Sequence, residues 1–333
     1  ELDRIARRRL STVYMPGDKI TMLPPQAIER HTLAAGKAVP ALSFYADVAP
    51  TLELTGTESR VEMVWIQSNL RHDALEDVFN EQAVRARHVA HDFGGELLRL
   101  HDFAQRLEAD RGRPDLNREA RTEYSFHVEA ERVSIVERKR GMPIDKVVSE
   151  LMILVNSHWG RLLDGRDFPG VFRSQQEGRV RMTSTAPPHQ GLGVSHYVWA
   201  SSPLRRYVDL MNQRQLIALV RGEPPVYARN SEALFAAMRD FELMYEIYAD
   251  FQRQMERYWC LRWILQESAA LLTARVIRES LVRLERVPLV LLEEYMQGEE
   301  ASVEACTYRG ETTVIGITDK SLTGFPYFIE DGH

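Results

Sequence analysis

The chain has 333 residues, of which 44% are hydrophobic and 27% charged, with a formal net charge of −6. That is ordinary globular composition with room for one large domain and a small one, and it excludes a collagenous, disordered or disulfide-scaffolded protein. The two cysteines, Cys260 and Cys306, point to a reducing, cytoplasmic compartment, and no apolar run is long enough to span a membrane.

Residues 1–9 have helical character, with no starting methionine and no signal-like apolar stretch, so the chain is expected to begin inside a larger protein. A loop follows, marked by Pro16-Gly17 and Pro24-Pro25. Residues 41–46 and 62–66 alternate and carry aromatic or β-branched side chains, which predicts strands. From 73 to 113 the spacing turns helical, with Leu97, Leu98, Leu100, Phe103, Ala104 and Leu107 in a three-four rhythm and Gly94-Gly95 as the expected break. Residues 124–136 alternate again and should pair as strands.

A helix over 145–163 is predicted to bury Val147, Val148, Leu151, Met152, Val155, Trp159 and Leu162 and to stop at Gly165. A second is predicted to start with Ser202 as N-cap and Pro203 in its first position, and to end near Arg221 before Gly222 and Pro224-Pro225. A third spans 231–266, with an apolar stripe from Leu234 and Phe241 to Tyr258 and Trp259. Beyond 266, β-rich runs at 274–277, 289–292, 301–307 and 312–317 suggest a small barrel.

The chemistry concentrates in one stretch. Pro188-His189-Gln190-Gly191-Leu192-Gly193 leads to His196-Tyr197 and then to Ser201-Ser202-Pro203-Leu204-Arg205-Arg206-Tyr207-Val208-Asp209-Leu210. Two arginines in the first turn of a capped helix oppose the helix dipole. Guanidinium forks beside free backbone N–H groups make a phosphate site. The plainer alternative is an Arg205–Asp209 salt bridge at i,i+4, and helix physics alone gives the two readings even weight. His88, His91 and Asp92 lie a turn apart, but solvated polar residues explain them better than a zinc site. Ser184, Ser195 or Ser202 beside a histidine has no nucleophile elbow. No phosphate-binding Gly-x-x-x-x-Gly-Lys loop occurs, and Arg138-Lys139-Arg140 reads as a solvated turn.

The stretch Ser202-Pro-Leu-Arg-Arg-Tyr-Val-Asp-Leu with Arg214 resembles the signature of the ribonuclease II/ribonuclease R family, whose catalytic unit is the RNB domain. His189 with Gly191-Leu192-Gly193 and Tyr197 is similar to that family's lead-in. Tyr14-Met-Pro-Gly through Pro40-Ala41-Leu42-Ser43, the helix Val148 to Asn156, and Met255-Glu256-Arg257 resemble further family segments in the right order.

The resemblance implies an α+β fold. An RNB domain over 1–265, a mixed sheet with surrounding helices, would be followed over 266–333 by an OB-type RNA-binding barrel. It implies a monomeric 3′→5′ exoribonuclease that hydrolyses single-stranded RNA to nucleoside 5′-monophosphates with two Mg²⁺ ions. By position, Arg205 is the catalytic arginine that stabilises charge on the reacting phosphate. Tyr14 stacks on the terminal base, and Glu256 holds the 3′-terminal nucleotide. Arg206 and Arg214 are expected at the RNA as well.

This sequence departs from the family in several places. The family's four-aspartate metal cluster has no counterpart in residues 1–333, so no metal ligand is assigned in this chain. The cluster is expected on an upstream segment with which the chain would associate. Ser149 stands where the family often has glutamate, Ala74 is not aromatic, and the segment between Arg173 and Arg181 is short. The rival readings are an RNA-binding relative that has lost its metals and a regulatory protein with no RNA role.

Overall fold

The computed structural model describes residues 1–112, 122–139 and 141–267, and beyond them the strands at 273–278, 281–285, 301–308, 311–319, 321–322 and 330–332. The chain divides into two units, Glu1–Gln266 and Glu267–His333.

The first unit opens with α1 (Leu2–Arg9) and a hairpin of β1 (Val13–Met15) and β2 (Asp18–Ile20), followed by α2 (Pro25–His31). Pro16-Gly17 closes that hairpin. Gly17 takes φ +78°, and a Cβ there would lie 2.7 Å from the Cβ of Val128. Backbone angle and close approach both demand glycine. The next hairpin, β3 (Lys37–Val48) with β4 (Leu54–Ile66), runs from Lys37 opposite Ile66 to Val48 opposite Leu54. It exceeds the predicted strands because its far end, including Thr57-Glu58-Ser59, is polar. Backbone pairing extends it where hydrophobic alternation is silent.

The helical region after 72 is broken into α3 (His72–Leu75), α4 (Glu81–Arg85) and α5 (Gly94–Asp110). Gly94 starts α5 instead of interrupting a helix. A Cβ at Gly94 would meet the Val89 carbonyl oxygen at 2.3 Å, so the glycine admits the tight return that precedes the helix. Then follow the hairpin of β5 (Thr122–Glu129) and β6 (Arg132–Lys139) and the helix α6 (Pro143–Gly165). Arg138 and Lys139 end β6, and Arg140 lies outside the described residues.

Helix α6 buries the predicted stripe in part. Val147 and Trp159 are buried, Leu151, Met152, Val155 and Leu162 are half-buried, and Val148 is exposed, while Glu150 and Asn156 are buried among Ile144, Ile153 and Leu163. A polar residue can face inward when it finds a partner there, and both do. The short segment after Arg173 is a tight hairpin of β7 (Phe172–Gln176) and β8 (Arg179–Thr183). Helices α7 (Tyr207–Arg221) and α8 (Glu232–Gln266) complete the unit.

Among the described residues the core forms three apolar clusters. One joins Ala6, Leu10, Met22, Val208 and Met211 to Leu234, Ala237 and Phe241 of α8. The second packs α3, α5 and α6 through Leu75, Leu97 and Val147. The third sets Trp159 and Leu163 against Phe172, Val198 and Leu216.

Helices and strands mix as expected. Every sheet among the described residues is a two-stranded antiparallel hairpin, however, in place of the larger mixed sheet expected. In the second unit the pairs are β9 (Thr273–Arg278) with β10 (Leu281–Glu285), β11 (Ala301–Tyr308) with β12 (Glu311–Asp319), and β13 (Ser321–Leu322) with β14 (Glu330–Gly332). No pairing that would close a barrel is among them, and the strand predicted at 289–292 lies outside the described residues. No helix among the described residues is long and apolar enough to cross a membrane.

One buried ion pair ties α5 to α6. Arg111 donates from Nη2 to both carboxylate oxygens of Glu150 at 2.6 Å, and from Nη1 to the Leu192 carbonyl at 2.6 Å. The Glu150 side chain is 0% exposed. Removing the guanidinium takes away charge-assisted hydrogen bonds to a buried carboxylate. Arg111→Leu should therefore lower unfolding stability by about 1.5–3 kcal/mol in urea denaturation. Arg99→Ala on the same helix, whose pairing with Glu96 is exposed, should leave the midpoint unchanged.

Candidate active site

The motif region between β8 and α7 has little regular structure, so side chains must satisfy its backbone. Side-chain amides do so, those of Asn156 and Asn212 being buried. Oδ1 of Asn156 accepts from the Ala200 amide at 3.1 Å, and the Asn156 carbonyl accepts from the Val198 amide at 3.3 Å. Asn212 of α7 donates to the carbonyls of Trp199 and Val171 at 2.9 and 2.8 Å and accepts from the Val171 amide at 2.8 Å. Gln213 donates to the Ala200 carbonyl at 2.8 Å. Strand β7 attaches alongside, the Arg173 amide donating to the Tyr197 carbonyl at 2.8 Å.

Ser202 is not the N-cap predicted. Helix α7 starts at Tyr207, and Arg206 precedes it in extended conformation, φ −139° and ψ 128°. The cause is a long-range pairing. Ser11 and Arg206 form an antiparallel bridge. The Tyr207 amide donates to the Leu10 carbonyl at 2.8 Å, and the Thr12 amide to the Arg205 carbonyl at 2.9 Å. That pairing requires extended backbone at Arg206 and delays the helix. Residues 202–206 fold into a turn, with the Arg205 and Arg206 amides both donating to the Ser202 carbonyl at 3.1 Å. The two arginines therefore lie ahead of the helix and not in its first turn as expected.

The arginines have different fates. Arg206 donates from Nε to Asp209 Oδ2 at 2.7 Å and from Nη2 to Oδ1 at 2.8 Å, and its guanidinium lies 4.0 Å from the centre of the Trp199 ring. Oδ1 of Asp209 also accepts from the Ser202 amide at 2.8 Å. Burial pushes the Asp209 carboxyl upward against the pull of Arg206. Arg214 donates to Asp3 and to the Tyr227 hydroxyl, and Tyr207 donates to the same Asp3 oxygen at 3.1 Å. Partial burial raises the Asp3 carboxyl, but the Arg214 pair outweighs it and holds Asp3 below the usual carboxylate value. RNA contact by Arg206 or Arg214 would have to compete with these internal pairs.

Arg205 differs. It is exposed, and its guanidinium has no hydrogen bond or ion pair among the described residues, while its carbonyl is fixed by Thr12 and by Ser11 Oγ at 3.2 Å. Tyr14 follows two residues after Thr12 on β1, 44% exposed. The structure thus ties the strand of Tyr14 to the turn of Arg205. Glu256 is exposed on α8. That helix is held near the same segment by the Tyr248 hydroxyl, which donates to the Arg9 carbonyl at 3.1 Å. Glu256 lies about 12 Å further along the helix.

Sequence reasoning missed the centre of the arrangement. The Trp199 ring carries two guanidiniums, those of Arg206 and of Arg173, the latter 3.9 Å from its centre. Phe241 and Tyr245 of α8 meet the same indole edge to face, at 6.2 and 5.8 Å. Trp199 sits inside the motif, but nothing in the sequence pairs it with Arg173. His189 is buried, and its Nδ1 accepts from the Leu192 amide at 3.3 Å.

Ser195, His196 and Asp164 also meet, at 2.9 Å from His196 Nδ1 to Ser195 and 3.1 Å from Nε2 to Asp164. Ser195 and His196 are sequence neighbours, so their contact is local and does not carry a nucleophilic role. No group of three or more His, Cys, Asp or Glu able to hold a metal occurs among the described residues.

A family model described as the RNB domain matches residues 1–185 and 178–222. An uncharacterised ribonuclease of Synechocystis sp. is 26% identical over 328 aligned residues, covering 88% of this chain and 46% of the relative. An active-site mutant of the Dss1 exoribonuclease of Candida glabrata superposes with a TM-score of 0.69 at 18% identity, over 82% of this chain and 42% of that one. Yeast Ssd1, described as a pseudonuclease, gives 0.61 at 16% identity, over 82% and 41%. These two structures share the fold, and this chain spans less than half the length of each of the three proteins.

Burial pushes the pKa values of His101, His158 and His189 below the usual 6.5, with the nearby charges of Lys146, Arg161 and Arg173 adding to it in turn. Protons therefore bind the unfolded chain more readily than the folded one. The stabilising contribution is present above 6.5 and is lost as pH falls through the lowered folded values. Thermal melts should show Tm falling below pH 6.5, and His189→Gln should make that fall shallower.

Proposed function

The chain belongs to the RNB-domain family, and on that premise we propose that it serves a 3′→5′ exoribonuclease that hydrolyses single-stranded RNA to nucleoside 5′-monophosphates. One observation carries the reading. Arg205 is held rigidly by its backbone, next to the strand of Tyr14, while its guanidinium stays uncommitted. A permanently charged, bidentate fork in that position suits a phosphate whose charge grows during hydrolysis. Arg205 takes that role. Tyr14 stacks on the terminal base, and stacking tolerates any sequence. Glu256 holds the 3′-terminal nucleotide from α8. Arg206 and Arg214 act from behind, through Asp209, Trp199 and Asp3. The second unit, expected as an OB-type barrel, adds a surface for the incoming strand.

Two-metal hydrolysis needs clustered carboxylates. The described residues do not fit that demand. Asp209, the carboxylate nearest in sequence to Arg205, is buried with both oxygens engaged by Arg206 and the Ser202 amide. The Mg²⁺ expected of the whole enzyme is assigned to no residue of this chain, and no step is routed through it. The same observation favours a second reading, an RNA-binding relative without catalysis.

Digestion of 5′-labelled single-stranded RNA by the complete protein with Mg²⁺ separates the two. The exoribonuclease shortens the label stepwise. Arg205→Ala should slow it by roughly 10²–10³-fold with RNA binding retained, and Tyr14→Ala should change the length of the limit product. A protein that binds RNA and never shortens it is the non-catalytic relative. Full turnover by Arg205→Ala would remove that residue from the chemistry.

A further inference from the structure

The Arg173 side chain takes no part in the hydrogen bonds of the turn at Arg205 and Arg206. Its place is nonetheless well defined. The residue sits on β7, and its amide is bonded to the Tyr197 carbonyl at 2.8 Å, so its backbone is fixed to the motif segment. Its guanidinium lies 3.9 Å from the centre of the Trp199 indole, and Trp199 in turn is braced by Phe241 and Tyr245. A guanidinium stacked on an aromatic face keeps its N–H edge free to meet acceptors in its own plane.

The charges around it do not balance. Arg206, on the same ring, has Asp209, and Asp209 has no oxygen to spare. Glu242 of α8, whose carboxylate reaches the neighbouring strand β8, accepts from the Met182 amide. Among the described residues Arg173 has no hydrogen-bonded acceptor and no acid within ion-pair distance. His189, a further basic group near it, is held toward its neutral form by burial and by the Arg173 charge itself. Burial presses Arg173 toward losing its proton, with Tyr245 and Tyr197 nearby opposing the shift and the Arg206 charge adding to it, although an arginine does not deprotonate at neutral pH. A half-buried cation in that state gains most from an anion with two oxygens in one plane. Arg205, the second uncommitted arginine, is the chain neighbour of Arg206, which shares the Trp199 ring.

We propose that Arg173 is a phosphate-binding residue of this site, gripping the backbone of single-stranded RNA beside the phosphate that Arg205 contacts. The assignment rests on the exoribonuclease reading for its ligand and on the Trp199 stack for its geometry. Trp199 is then a positioning residue that holds Arg173 and Arg206 at a fixed spacing.

The test is binding of a fluorescent oligouridylate to the whole chain, followed by anisotropy over a range of KCl concentrations, without added metal. Arg173→Met keeps much of the side-chain volume and removes the charge. It should weaken binding and flatten the slope of log K against log salt by about 0.7, the value of one phosphate contact on a single strand. Arg173→Lys should keep the slope, and Arg99→Ala, at an exposed position on α5, should change neither quantity. A wild-type slope in Arg173→Met overturns the proposal.

Should that variant not fold, arginine-selective modification of the wild-type chain by phenylglyoxal decides, with the modified sites mapped by mass spectrometry. Oligouridylate should protect Arg173, and modification at the unliganded rate overturns the proposal. Repeating the mapping with inorganic phosphate keeps the two readings apart. Protection by phosphate without any RNA binding preserves the site and sinks the exoribonuclease reading. RNA binding with Arg173 unprotected does the reverse.

Discussion

The architecture depends on how the interior supports an irregular segment. From Tyr197 to Arg206 the backbone crosses packed protein with almost no ladder of its own, and each unpaired amide or carbonyl buried there would be costly. Asn156, Asn212 and Gln213 supply the missing partners from two helices, and Asp209 takes the Ser202 amide. At about 1 kcal/mol net for each bond, and more for each group left bare, this network outweighs any single apolar contact in the region. It also explains why α6 and α7 turn amide-bearing faces inward where a purely apolar stripe would have sufficed for packing.

The second constraint is electrostatic. The site's arginines are sorted by what they meet. Arg206 meets a fully buried carboxylate, and Arg214 meets Asp3 with two tyrosine hydroxyls. Those cations are spent on holding the structure. Arg205 is presented outward by a backbone held at both faces, through the turn from Ser202 and the bridge to Ser11. A charge placed this way costs little in reorganisation when an anion arrives, and preorganised charge is what electrostatic catalysis requires. The Trp199 ring joins the two classes, with a committed guanidinium and an uncommitted one on the same indole.

The long helix α8 links these features. Leu234, Ala237 and Phe241 bury its first part beside α7, Phe241 and Tyr245 brace Trp199, and Tyr248 holds Arg9. At its end Gln266 exchanges hydrogen bonds with the backbone of Val133 on β6. The hairpin of Tyr14 also reaches β5, where Gly17 lies against Val128. The elements that carry Tyr14, Arg205 and Glu256 are therefore fixed to one scaffold.

By itself, the sequence determined the elements whose signal is local. The opening helix, the two long C-terminal helices and the Pro16-Gly17 turn follow from periodicity and backbone chemistry, and the motif around Arg205 was legible as a string of residues. Its resemblance supplied the family. Tertiary structure decided what depends on contacts between distant residues. Ser202 looks like an N-cap until the bridge between Ser11 and Arg206 holds the chain extended and moves the helix start to Tyr207. Val148 looks buried until Glu150 and Asn156 find partners inside and share the inward face of α6 with Val147 and Trp159. Arg173 carries no mark in the sequence, because its meaning comes from Trp199, which reaches it only across the fold. Propensity and period act over a few residues, whereas a buried polar group finds its partner wherever the chain brings one. The start of α7 and the inward face of α6 were accordingly settled by hydrogen bonds between distant residues.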